Sequence, residues 1–252
     1  MGRSMKIVIS PNLPQGRVGE ALLSELAHDI TTVLEKRGIT VIKVKACRSI
    51  AKPVSSHADL LYHHLGGNLI AAANPHEDAA AELRKIGFNI IVTEKNICSP
   101  YPADAGLDAA RVGRRLICNP RFTDKAVLDY CEREGIEIIA VKQGYAKCSV
   151  CVVDECSIIT ADAGIAAAAE ESGLTVLRIT EGCIQLPGLS HGFIGGCCGK
   201  LAPNLMVFAG NIKAHPDYCG IKAFMEARGV GIEQLCDGPL TDIGGIIPLI
   251  ED

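Results

Sequence analysis

The chain has 252 residues, 48% of them hydrophobic, so it is long enough to bury a substantial core. Its 29 Asp and Glu residues outnumber 25 Lys and Arg residues, and this formal net charge of −4 argues against a nucleic-acid partner. No apolar run approaches the roughly 20 residues that a membrane-spanning helix needs, so no membrane partner is expected.

The start of the chain, Lys6-Ile7-Val8-Ile9, is typical of a strand and lacks the apolar segment of a secretory signal. The 12 cysteines therefore indicate reduced thiols rather than a disulfide framework. We expect a cytoplasmic protein.

A helix that ends in glycine and is followed by a strand is the pattern that recurs along the chain. Glycine suits the position after a helix because it adopts a left-handed conformation without steric cost. The recurring positions are Gly38, Gly87, Gly135, Gly173 and Gly229. The predicted helices that precede them span residues 20–37, 77–86, 124–134, 162–172 and 217–228.

Pairs of strand-like runs precede these helices, for example 57–65 with 69–73 and 148–153 with 157–160. Each unit is thus a hairpin, a helix and a return strand, about 50 residues in all. When unit two is laid on unit four by its turns, Asp59 falls opposite Cys148, and the fifth unit begins near His191.

The segment 240–245 is predicted to supply the hairpin strand that unit one lacks, so that the two ends of the chain pair. The sequence therefore predicts an α/β fold in a single domain, residues 1–252, with five ββαβ units arranged as a pseudo-symmetric five-bladed propeller. A doubly wound parallel sheet is the alternative, because alternating strands and helices also favour it.

This circular series of units resembles the pentein superfamily, the α/β-propeller fold of deiminases, amidinotransferases, dimethylarginine dimethylaminohydrolases and a ribosome anti-association initiation factor. The strings that carry the resemblance are His57-Ala58-Asp59, Ser190-His191-Gly192-Phe193 and Asp242-Ile243-Gly244-Gly245. The resemblance implies a Cys nucleophile, a His general acid and base, and carboxylates that hold a guanidinium group. The sequence has no Walker phosphate loop, no dinucleotide-binding GxGxxG after a strand and no HExxH motif, so no cofactor and no metal are expected.

Carried over by position, the resemblance gives His191 as the acid and base and places Asp59, Asp242 and His57 in the substrate-binding group. The deiminase nucleophile lies just after the C-terminal glycine pair, whereas this chain has no Cys after Cys236. The candidate replacements are Cys148, which falls in the same layer as Asp59, and the pair Cys197 and Cys198, which follows His191.

A metal site is a further alternative, because Cys148, Cys151 and Cys156 together with Cys197 or Cys198 would form a four-thiolate set. Cys148 and Cys151 would point to opposite faces of a single strand, which argues against that set. His63 and His64, which are adjacent in the chain, are expected at the surface or in a turn.

The predicted function is that of a hydrolase or transferase acting on a small cationic guanidino or amidine compound through a Cys nucleophile. A noncatalytic binding protein like the initiation factor is one alternative, favoured by the missing terminal Cys. A thiolate metal protein is the other.

Overall fold

The computed structural model describes residues 5–252, and within them no helix is long and apolar enough to cross a membrane. The α-helices are α1 (His28–Lys36), α2 (Ala58–Leu61), α3 (Glu77–Lys85), α4 (Lys125–Glu134), α5 (Ala146–Ser149), α6 (Ala163–Glu171) and α7 (Tyr218–Glu226). Short 3-10 helices span Lys52–Val54, Gly195–Cys197 and Ile212–Ala214.

The strands form five separate sheets within residues 5–252. Their bounds are β1 (Lys6–Ile7), β2 (Val18–Ser24), β3 (Thr40–Val44), β4 (Tyr62–Gly66), β5 (Leu69–Ala72), β6 (Asn89–Val92), β7 (Ala110–Val112), β8 (Arg115–Cys118), β9 (Glu137–Ala140), β10 (Val150–Val152), β11 (Ser157–Thr160), β12 (Thr175–Arg178), β13 (Cys198–Ala202), β14 (Leu205–Phe208), β15 (Gly231–Gln234) and β16 (Ile247–Glu251).

Four of the sheets have three strands in chain order: β4-β5-β6, β7-β8-β9, β10-β11-β12 and β13-β14-β15. In each, the first two strands form an antiparallel hairpin and the third returns parallel to the second, with a helix between them. The predicted ββαβ unit is therefore present, and the alternative of one doubly wound parallel sheet is wrong.

The remaining sheet has the order β1-β16-β2-β3 and joins the two ends of the chain, as the sequence predicted. The pairing strand is β16, however, and not segment 240–245. The predicted helix over 20–37 is also wrong in its first part, because β2 occupies residues 18–24 and α1 begins at His28. Leu22 and Leu23 are fully buried, and Ala21 and Ser24 on either side of them are buried too, so the second half of β2 lacks the alternation that identifies a strand.

A short helical turn precedes the first strand of three units: α2 before β4, α5 before β10 and the turn Gly195–Cys197 before β13. The runs 57–65 and 148–153 were predicted as strands throughout, and their first residues belong to these turns. A single turn of helix is too short for its periodicity to show in a sequence.

The strand register corrects the predicted alignment of units two and four. Tyr62 pairs with the last residue of β5, and Val150 pairs with the last residue of β11. Asp59 lies three residues before Tyr62, so its counterpart three residues before Val150 is Lys147 and not Cys148. The turns alone left this one-residue shift undetermined, because they do not report which residues pair.

The other helices follow the prediction closely, and local side chains explain where they begin. The Asp124 carboxylate accepts a hydrogen bond from the Ala126 amide at the start of α4, and Asp162 does the same for Ile165 in α6. Gly135 ends α4 with a φ of 62°, the left-handed conformation expected after a helix.

Candidate active site

The candidate site is built around the thiol of Cys148, which α5 holds in the interior with 4% of the residue exposed. Its sulfur lies 3.1 Å from Oδ2 of Asp59 and 2.8 Å from Oδ2 of Asp108. The second oxygen of Asp108 accepts hydrogen bonds from the backbone amides of Lys147 and Cys148. Asp108 therefore fixes both the thiol and the turn that carries it.

A histidine completes this group. A ring nitrogen of His57, a carboxylate oxygen of Asp59 and the Cys148 sulfur all lie within 4.8 Å of one another. Nδ1 of His57 is 3.7 Å from Oδ1 of Asp242. The structure thus brings together four residues that the sequence analysis singled out, namely His57, Asp59, Cys148 and Asp242.

Backbone amides bind the carboxylate of Asp242, and glycines allow the backbone to approach it closely. Its two oxygens accept hydrogen bonds from the amides of Phe193 (2.9 Å) and Gly244 (3.0 Å). A Cβ on Gly196 would lie 2.0 Å from Oδ1 of Asp242, and one on Gly244 would lie 2.5 Å from Cα of His57. These contacts explain why glycine occupies positions 196 and 244.

The site has more acidic than basic side chains. Asp59, Asp108 and Asp242 are each at most 3% exposed, and the nearby cation is the buried ammonium of Lys147, whose Nζ donates to the Gly195 carbonyl at 3.2 Å. Burial alone lowers the pKa of Lys147, but attraction by Asp59 and the surrounding acidic groups outweighs it, so the pKa is raised. Lys147 is therefore protonated and fixed in place.

Burial dominates the ionisation of the remaining groups. Burial first, and then repulsion by Asp59, raises the pKa of Asp108 well above its ordinary value, and burial raises the pKa of Asp242. Burial, with repulsion by Asp108 and Asp59, likewise raises the pKa of the Cys148 thiol. In this state the thiol is protonated and donates to the carboxylates, and a cation placed among them would lower its pKa.

A cavity of about 380 Å³ gives access to Cys148, His57 and Asp242. Its wall also carries Asp104, whose Oδ1 accepts a hydrogen bond of 2.9 Å from the hydroxyl of Tyr145. The other lining residues are Ala51, Val54, Leu60, Ser99, Pro100, Tyr101, Leu186, Leu189, Ser190, His191 and Phe193. Carboxylates and aromatic rings line this cavity, while Lys and Arg do not, so it suits a small cation with an apolar body.

His191 lies on the wall of the same cavity, but it does not belong to the group that His57, Asp59 and Cys148 form. Its Nε2 is 3.5 Å from Oε1 of Glu181, and its ring stands edge-on to Phe193 with the ring centres 5.8 Å apart. His57 is therefore the imidazole that the structure places beside Cys148. The segment around His191 has no helix or strand, so the repeat pattern could not fix its position.

Cys197 and Cys198 do not face this cavity. Both are buried in an apolar cluster, where the Cys197 thiol donates to the Ile194 carbonyl at 3.2 Å. Cys156 is exposed in the turn between β10 and β11. The predicted four-thiolate set is therefore wrong: within residues 5–252 no group of three or more cysteines is close enough to share a metal ion.

Sequence reasoning missed Asp108, Asp104, Tyr145 and Lys147. A signal for Asp108 was present, because it lies just before the first strand of unit three, as Asp59 lies just before that of unit two. The buried His63 and His64 were placed at the surface, which is wrong: both lie in β4 and are at most 7% exposed.

Solved structures with the same fold are amidinotransferases and related enzymes of the pentein superfamily. The amidinotransferase of saxitoxin biosynthesis from Microseira wollei is 12% identical, with a TM-score of 0.59 over 91% of each chain. The inosamine-phosphate amidinotransferase from Streptomyces griseus is 12% identical, with a TM-score of 0.59 over 95% of this chain and 94% of the other. A dimethylarginine dimethylaminohydrolase from Pseudomonas aeruginosa, complexed with citrulline, is 9% identical, with a TM-score of 0.56 over 91% of this chain and 96% of the other.

These likenesses establish the pentein fold for this chain. No curated protein sequence matches it. Residues 23–247 match the sequence model described as "Family of unknown function (DUF6873)", and the chain belongs to that family.

Proposed function

We propose that this protein is an enzyme that acts on a small guanidino or amidine compound, as a hydrolase or a transferase, with Cys148 as the nucleophile. The observation that carries the proposal is the Cys148 thiol held between Asp59 and Asp108, 3.1 and 2.8 Å from their oxygens, at the wall of a cavity. The same proposal takes the chain as a single domain whose five units surround a common axis, with this group at its centre.

The first step is recognition of the cation. A planar guanidinium or amidinium group donates paired hydrogen bonds to carboxylates, and it would enter beside Asp242, which lines the cavity, and Asp59, whose Oδ2 is 3.1 Å from the thiol. Its positive charge offsets the repulsion that keeps Cys148 protonated. Substrate binding therefore promotes formation of the thiolate.

The thiolate then attacks the central carbon of the substrate and forms a carbon–sulfur bond. His57 takes the thiol proton and delivers it to the departing nitrogen, whose bond to carbon breaks as the amine leaves. Water or an acceptor amine next attacks the same carbon and displaces the sulfur, which regenerates Cys148. Asp242, 3.7 Å from Nδ1 of His57, stabilises the protonated imidazole between these steps.

The test compares two alkylating probes with the same reactive carbon, chloroacetamidine, which is cationic, and chloroacetamide, which is neutral. We expect the amidine to label Cys148 about tenfold faster or more, because one charge-assisted hydrogen bond contributes about 1.5 to 3 kcal/mol. Intact mass and peptide mapping report the site. Cys148→Ser should lose this label, and Cys156→Ser, at an exposed turn, should keep it.

Turnover is measured on a panel of guanidino and amidine compounds as release of ammonia or amine. Cys148→Ser is expected to abolish the release and Cys156→Ser to leave it unchanged. Equal labelling by the two probes, or turnover that survives in Cys148→Ser, would contradict the proposal. Binding of panel members without turnover in the wild type would instead favour the noncatalytic alternative.

A further inference from the structure

Three side chains with different donor atoms meet at the Cys148 thiol, which lies on the wall of the cavity. His57 offers a ring nitrogen, Asp59 a carboxylate oxygen and Cys148 a sulfur, and these atoms lie within 4.8 Å of one another. The residues are 4%, 1% and 4% exposed. This combination differs from the all-cysteine set considered from the sequence, because only one thiol belongs to it.

Two polar atoms in this group have no hydrogen-bond partner. Nδ1 of His57 and Oδ1 of Asp59 are buried, and neither makes a hydrogen bond. An unpaired polar atom in the interior costs free energy, so such atoms are rare unless a ligand satisfies them. Both belong to residues that are more than nine-tenths buried and that face the same thiol.

The surroundings favour a cation at this point. Asp108 and Asp242 lie against the group, through the Cys148 thiol at 2.8 Å and the His57 ring at 3.7 Å. The ammonium of Lys147 faces the Gly195 carbonyl and offsets only part of the negative charge. A divalent ion would therefore be stabilised by its neighbours as well as by its ligands.

We propose that His57, Asp59 and Cys148 form a binding site for a divalent cation of borderline softness, with Zn²⁺ as the type case. Nitrogen, oxygen and sulfur ligands are the set that Zn²⁺ accepts, whereas Mg²⁺ and Ca²⁺ require oxygen ligands. Bond lengths of about 2.0 to 2.3 Å place tetrahedral ligand atoms about 3.5 Å apart, so any pair that is now near the 4.8 Å limit would close up by about 1 Å. Water would fill the fourth position of a tetrahedral site.

Metal binding goes beyond the proposed function, but its consequence for activity rests on that function. The hydrated ion loses water molecules and the thiol loses its proton to solvent, so the sulfur lone pair that would attack the substrate is bound to the metal. The metal and a cationic substrate also use the same Asp59 carboxylate. Metal and substrate are therefore mutually exclusive, and the metal is a competitive inhibitor.

The test uses Co²⁺, which replaces Zn²⁺ in such sites and shows a thiolate-to-metal charge-transfer band. Protein freed of metal with a chelator is titrated with Co²⁺ under reducing conditions. We expect one equivalent of ion to produce the band in the wild type and in Cys156→Ser, and no band in Cys148→Ser. Asp59→Asn and His57→Gln should each weaken Co²⁺ binding at least about tenfold.

Thermal unfolding without metal shows whether each variant is folded, and the two ligand variants keep the test decisive if Cys148→Ser is not. A missing band in the wild type, a band that persists in folded Cys148→Ser, or unchanged affinity in both ligand variants would overturn the metal site. Amidine labelling of Cys148 without a cobalt band would reject the metal site alone. A band without selective labelling or turnover would reject the proposed enzyme alone.

Discussion

At the scale of single residues, the position of the Asp242 carboxylate depends on Gly196, a neighbour that has no side chain. The backbone of residues 193–196 passes so closely that a Cβ on Gly196 would meet Oδ1 of Asp242 at 2.0 Å and its Cγ at 2.4 Å. The carboxylate cannot simply turn away, since its oxygens accept hydrogen bonds from the amides of Phe193 and Gly244. Gly196 is therefore required by close approach.

We expect Gly196→Ala to destabilise the protein by about 2 kcal/mol, the usual cost of overfilling a packed interior. The matched control is Gly220→Ala in α7, where an added Cβ meets nothing within 4 Å. There, alanine should stabilise the protein by about 0.5 to 1 kcal/mol through its better helix propensity. Urea unfolding of both variants measures the difference, and equal stability of the two would contradict this account.

At the scale of single elements, α4 begins where a side chain replaces a missing backbone partner. The Asp124 carboxylate accepts the Ala126 amide at 2.9 Å, which satisfies one of the free amides of the first turn. Asp129 lies on the same helix and makes only an exposed ion pair with Lys125. A comparison of the two aspartates therefore distinguishes the effect of helix capping from that of a surface charge.

Asp124→Ala is expected to lower the free energy of unfolding by about 1 kcal/mol, the typical loss of a helix cap. Asp129→Ala should change it by less than about 0.5 kcal/mol, because exposed ion pairs contribute little and alanine favours the helix. Chemical denaturation of the two variants decides the matter. A larger loss in Asp129→Ala than in Asp124→Ala would show that capping does not set the start of α4.

Across the whole molecule, the sequence predicted the units with a regular internal pattern and failed where the pattern is interrupted. The glycine-terminated helices and return strands were predictable because left-handed residues and helix periodicity are local signals. Unit one was misassigned because β2 is buried on both faces and its partner β16 comes from the other end of the chain. Local patterns carry no information about such a distant pairing.

The site, like the fold, was predictable where its residues occupy positions that the repeated unit defines. Asp59, Cys148 and His57 meet because each lies at or next to the short turn before a first strand, a position that the repeat defines. His191 lies in an irregular segment, so its predicted role had no support from a periodic pattern. The sequence left the strand register uncertain by one residue, and only the strand pairing resolves it. The carboxylates that accept a hydrogen bond from the thiol depend on that register.

The same interior makes the stability of the folded chain depend on pH. Burial lowers the pKa of His64 to about 4, and burial together with the charge of His64 lowers that of His63 to about 3. The unfolded chain binds these protons near pH 6.5, so the contribution of the neutral rings is complete above that pH. It is lost progressively as the pH falls from about 6.5 toward 4 and 3. The raised pKa of Asp108 acts in the opposite direction, because the folded state then binds a proton more readily than the unfolded chain.

A variant isolates the histidine contribution from that of the carboxylates. Nε2 of His64 lies 2.8 Å from the Gly67 carbonyl, a hydrogen bond that the amide of a glutamine can also donate. Between pH 7.5 and pH 5, the free energy of unfolding of His64→Gln should fall by about 2 kcal/mol less than that of the wild type, since each unit of pH below 6.5 is worth about 1.4 kcal/mol per group. Urea titrations at the two pH values measure this difference. Parallel losses in the two proteins would mean that His64 is protonated in the folded state. The burial of His64 in β4, with its ring against that of Phe88, opposes this outcome.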